Sequence, residues 1–142
     1  MATLTRQQAN ALLSDGVALD LAQAATIGRL LEEQFDAAVR HRSAVLGTLA
    51  DELLPLLEGM EARRQQRLQL VRALLGPQAT MAQYIASLAP GARGHFEATW
   101  QALESAVRAC QQSSLRNGQF LADQYSVMQR VLHGEEQTYA PR

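Results

Sequence analysis

Apolar residues recur at three- and four-residue steps through most of this chain, which is the period of an α-helix. The longest stripe runs Leu31, Phe35, Ala38, Val45, Leu49, Leu53, Leu56, Met60, Leu68, Val71 and Leu75. Glu32, Glu33, Asp36, Arg40, Asp51 and Glu61 lie between its members, as expected of a solvated face. Pro55 removes a backbone donor and clashes with the preceding turn, yet the stripe keeps its phase across it. The pattern therefore predicts a long helix over 18–75, kinked or broken at Pro55 and ended by Gly76-Pro77. Upstream, Thr5 and Gln8 have capping-box spacing and predict a short helix over 6–14, stopped by Ser14-Asp15-Gly16. Thr80 and Gln83 repeat that spacing and predict a second short helix over 81–88, with Pro90 to Gly94 as a loop.

From His95 to His133 there is no proline, and the only glycine is Gly118, so 95–133 reads as one long helix. Trp100, Leu103, Val107, Cys110, Ser114, Asn117 and Leu121 alternate steps of three and four, a heptad seam that Gln124, Met128 and Val131 extend. Gly134 is the expected stop, leaving 134–142 as a flexible polar tail. Two long segments of similar reach predict an all-α fold: a single domain over 1–142, an elongated antiparallel bundle of long helices with coiled-coil-like packing.

The last helix is weak in its middle and apolar near its end. Ser114 and Asn117 take seam positions where Leu would stabilise more, and Gly118 costs about 1 kcal/mol relative to Ala in a helix. One reading makes Asn117 a register-fixing buried amide and Gly118 a point of close helix approach. A compatible reading is a loose helix that opens to a partner. Beyond it, Phe120, Leu121, Tyr125, Val127, Met128, Val131 and Leu132 cover more than one face. A stripe that wide must be buried in its own bundle or against another protein, and amphipathic helices are a common recognition mode. Asn117, Gly118, Phe120, Leu121, Tyr125, Met128 and Leu132 are accordingly the expected partner-binding residues.

Composition narrows the function further. Aromatic residues make up 5% and hydrophobic residues 47%, so any core is mainly aliphatic. The net charge of −1 provides no long-range field for nucleic acid. No apolar run nears the roughly 20 residues that span a bilayer, and Met1 to Leu13 lacks the apolar core of a signal peptide. Neither membrane insertion nor secretion is expected, and the single Cys110, unable to form an internal disulfide, suits a cytoplasmic protein. His41, His95 and His133 make no helical metal-ligand spacing, and no phosphate loop or nucleophile elbow is present. Arg63, Arg64 and Arg67 form the densest basic patch, with Glu58 and Glu61 one turn away for intrahelical ion pairs. The expectation is a binding protein rather than an enzyme, with no cofactor and no metal.

The run Trp100-Gln101-Ala102-Leu103, the position of Cys110, the Asn117-Gly118 pair and the closing Tyr139 resemble the C-terminal half of the FlgN family of flagellar export chaperones. The Leu-rich segment from Leu31, its Arg-bearing stretch Glu58 to Arg67 and the break at Leu75-Gly76 resemble the first half. Ser114 stands where the family usually has Asn. The resemblance implies a cytoplasmic chaperone for the hook-associated proteins of the hook–filament junction. It would bind their helical C-terminal ends and deliver them to the cytosolic domain of the type III export gate. It also implies client binding by the last helix and gate docking by Tyr139. The alternative from the seam alone is a structural coiled-coil or adaptor module that self-associates.

Overall fold

A computed structural model of the chain describes residues 4–139, with the side chains of residues 4–134. Four helices follow one another: α1 (Arg6–Val39), α2 (Ser43–Leu75), α3 (Met81–Ala86) and α4 (Pro90–Tyr139). No strand occurs among the described residues, and the three long helices form an all-α bundle.

Both predicted capping boxes close. The Thr5 and Thr80 hydroxyls accept from the backbone N–H of Gln8 and Gln83, whose side chains accept from the cap residues in return. The first helix does not stop at Ser14-Asp15-Gly16, however. Leu13, Val17, Asp20, Ala24, Ile27 and Leu31 are all buried and form one uninterrupted inward stripe. Burial along that stripe outweighs the local turn preference, and an interior Gly16 costs only about 1 kcal/mol.

The break in the first long segment falls at Arg40–Arg42 rather than at Pro55. His41 adopts φ 56°, in the left-handed region, directly after the C-cap residue Arg40. The His41 N–H donates to Ala38 O at 3.2 Å and the Arg42 N–H to Ala37 O at 2.9 Å. These are the two bonds of a Schellman cap, which usually employs Gly at the left-handed position. Pro55 lies within α2 on its exposed side, and Asp51, whose carbonyl it leaves without a helical donor, is an exposed residue too. The single predicted helix over 18–75 is therefore an α1–α2 hairpin.

That hairpin supplies the antiparallel pair of the bundle. Leu30, Leu31 and Ala37 pack with Leu49 and Leu53 near the turn. Toward the other end, Leu13, Val17 and Ala24 share a core with Val71, Tyr84, Phe96 and Leu103. Helix α4 runs alongside α1 in the same direction. Cys110 meets Ala24, Asn117 meets Leu31, and Gln124 meets His41, so both sequences rise together. Parallel neighbours need a long return path, which α2 and α3 provide. Tyr84 of α3 fastens that return, its hydroxyl donating to Asn10 Oδ1 at 2.7 Å and its ring meeting Phe96 edge-on at 5.5 Å.

Helix α4 is longer than expected at both ends. Pro90 is its first residue, a position where the missing N–H has no partner to lose. Gly134 does not end it, and the helix continues to Tyr139. At about 1.5 Å per residue its 50 residues span about 75 Å, against about 51 Å for the 34 residues of α1. The expected flexible tail reduces within the described residues to helix, and Ala140 to Arg142 lie outside them.

Candidate functional site

Helix α1 is central, with α2 and α4 both packed on it. Among the described residues no Cα of α2 comes within 8 Å of a Cα of α4. An apolar cleft of about 470 Å³ lies between them. Ala24, Ile27 and Leu31 of α1 form its floor, Leu57 and Met60 one wall, and Trp100, Leu103 and Val107 the other. Trp100 spans the cleft at one end, with the Arg67 guanidinium 5.4 Å from its ring centre.

The heptad seam of α4 splits between two neighbours. Leu103, Cys110, Asn117 and Gln124 turn toward α1, the first two also reaching the cleft, and Trp100, Val107 and Ser114 border the cleft beside them. Asn117 is 1% exposed and its amide is fully engaged. Its Nδ2 donates to Leu31 O and Gln34 Oε1, both at 2.8 Å, and its Oδ1 accepts from Arg116. Arg116 in turn bonds Glu32 at 3.0 Å and stacks 4.0 Å from the centre of the Phe35 ring. Phe35 meets Phe120 edge-on at 5.5 Å. This knot pins α4 to α1 at the position that the weak-middle argument made loose. A Cβ built on Gly118 meets nothing within 4 Å, so the close approach predicted there has no counterpart in the described chain.

Past Phe120 the support thins, with Gln124 still meeting His41 at 3.4 Å. Leu121, Tyr125, Val127, Met128, Val131 and Leu132 are between 36% and 66% exposed. They border an open groove that His41, at the hairpin turn, closes on one side. Phe120 is half-buried against α1, while Tyr125, Met128 and Leu132 face solvent on one side of the helix. Tyr139 is the last residue of α4, and its side chain lies outside the described residues.

Two features escaped the sequence reading. The cleft needs tertiary information, because it arises from the distance between α2 and α4. The second is Asp20, which is fully buried and accepts from Arg63 Nε and, at 2.8 Å, from Arg67 Nη1. Only Arg64 of the basic patch makes the expected intrahelical pair, a two-pronged contact with Glu61 at 2.7 Å. That guanidinium holds the Glu61 carboxyl down at about 2. A signal for Asp20 existed: a lone carboxylate on the inward stripe between Val17 and Ala24, with an arginine cluster elsewhere on the chain.

The family model described as FlgN protein matches residues 2–134. The chain belongs to the FlgN family. No curated protein and no solved structure matches it. FlgN proteins are flagellar export chaperones and not an enzyme family, which gives this chain the same general role. As a FlgN protein it has an open apolar cleft and an exposed apolar helix end, an arrangement suited to binding. Its half-buried thiol, Cys110, is pushed up by burial and contacts Ala24 O at 3.4 Å. Among the described residues no cluster of His, Cys, Asp and Glu could hold a metal ion, and no helix is long and apolar enough to cross a membrane.

Proposed function

We propose that this FlgN protein captures the helical C-terminal ends of hook-associated proteins on the distal half of α4. In this reading the work is done in the cytoplasm, and the client is then handed to the cytosolic domain of the type III export gate. The observation that supports it is the run from Leu121 to Leu132, where one end of a long helix carries six large apolar side chains, each at least 36% exposed. Patches of that kind are kept for a partner or become an aggregation liability. Phe120, Leu121, Tyr125, Met128 and Leu132 would contact the client. Asn117 and its bonds to α1 would hold the platform in register, and Gly118 would mark where the free half begins. Capture then requires no covalent step and no nucleotide. Tyr139, at the far end of the same helix, is the proposed gate contact.

Calorimetry with peptides from the C-terminal ends of junction proteins tests the capture step. Met128→Ala and Leu132→Ala should each weaken binding by about 2 kcal/mol, as buried anchors do. Tyr139→Ala should leave peptide affinity unchanged while reducing gate binding and client secretion. Loss of peptide affinity in Tyr139→Ala would merge the two surfaces, and full affinity in both apolar variants would remove the client from this helix.

A further inference from the structure

One face of α4 carries two halves of a joint. Beside the residues that pack on α1 runs a second stripe, stepping four and three without interruption. Its first half, Trp100, Glu104, Val107, Gln111 and Ser114, lines the cleft. Its second half, Leu121, Tyr125, Met128 and Leu132, is the exposed apolar row. Gly118 lies between the halves with open space around it. The first half borders an apolar hollow open to solvent, and the second is a row of exposed apolar side chains. Within one chain they cannot meet, because α4 is a continuous helix from Pro90 to Tyr139.

We infer that α4 pairs antiparallel with α4 of a second copy, crossing at Gly118, so that the apolar row of each copy fills the cleft of the other. A twofold axis at Gly118 sets Gln111 of one copy opposite Tyr125 of the other, and Glu104 opposite Leu132. Surfaces that complement themselves about one point are what a twofold interface requires. The absence of a side chain at the crossing lets the two backbones approach closely. In this register Arg108 falls opposite Met128, Asp123 opposite Ser113 and Arg130 opposite Ala106, so no like charges oppose each other. The stretch that overlaps its own symmetric mate about Gly118, Glu104 to Leu132, extends about 44 Å at about 1.5 Å per residue. A stable dimer buries about 800 Å² per partner, and the exposed apolar row and the open cleft are the surfaces this pairing would bury. The apolar row is also the proposed client surface, so pairing and client capture exclude each other. The client-free dimer stands or falls independently of the client's identity.

Sedimentation equilibrium on the full client-free chain tests the pairing. The expected result is a concentration-dependent monomer–dimer equilibrium. Gly118→Arg, which the open surroundings of a single chain accommodate, should raise the dissociation constant at least about tenfold, or about 1.4 kcal/mol, with helix content unchanged. In a Cys110→Ser background, Gly118→Cys should form an interchain disulfide on mild oxidation, because a residue on the axis meets its own copy. Ser105→Cys, on another face of α4, should not. A chain that stays monomeric at all concentrations, or a dimer indifferent to Gly118→Arg, overturns the inference.

Discussion

Two arginines share the carboxylate of Asp20, which has no access to solvent; the Arg67 side chain is 10% exposed and that of Arg63 20%. Removing the acceptor strands a buried guanidinium, so Asp20→Ala should lose about 3 kcal/mol in chemical denaturation. Most of that cost belongs to Arg67. Asp20→Ala combined with Arg67→Met should therefore lose less than Asp20→Ala alone, a non-additivity that a merely exposed pair would not show. Cys110 offers a second check. Burial raises its pKa, so fewer thiolates exist at any given pH than in an unfolded chain. Labelling by an aromatic disulfide at pH 8 should be at least about tenfold slower than in denaturant, and should accelerate as pH rises. The burial of Cys110 was legible from its heptad position. The partnership of Asp20 with residues more than 40 positions away was not, because period assigns a residue to a face and says nothing of what that face meets.

The hairpin turn carries a testable strain. A residue with a Cβ in the left-handed region costs about 1 kcal/mol, and His41 holds that conformation with both bonds of its cap formed. His41→Gly should raise the melting free energy by up to about 1 kcal/mol, whereas the β-branched His41→Ile should lower it by about 1–2 kcal/mol. Equal melting of both variants would mean that the turn is not under strain. The cap also explains where helix boundaries were misread. Gly, Pro and Ser-Asp-Gly are local punctuation, yet at Gly16, Pro55 and Gly134 the chain runs helically through them, and at Pro90 a helix begins. The actual turn uses Arg-His-Arg, which carries no such mark. Capping boxes were read correctly because their two bonds are local, between residues three apart.

Across the whole molecule, helical content and the apolar end of α4 were legible, since both follow from period and composition. The relative directions of the helices were not. They follow from one unmarked turn at His41, which makes α1 the shared centre and sets α4 parallel to it. Packing density then falls along α4. At high dilution, amide exchange should be slow through Asn117 and faster by about a hundredfold or more over 125–132, where the large apolar side chains are exposed. Uniform protection to residue 132 would contradict that gradient. The parallel pairing has a consequence in time. Leu31 and its partner Asn117 are 86 positions apart. A ribosome adding about 5–20 residues each second separates their appearance by on the order of ten seconds. The hairpin can close early in that interval, because α2 emerges directly after α1. The flank of α1 bearing Phe35 cannot be covered until α4 emerges. Every newborn chain thus carries a bare apolar flank through much of its own synthesis, and whatever shields it then decides how many chains reach the finished bundle.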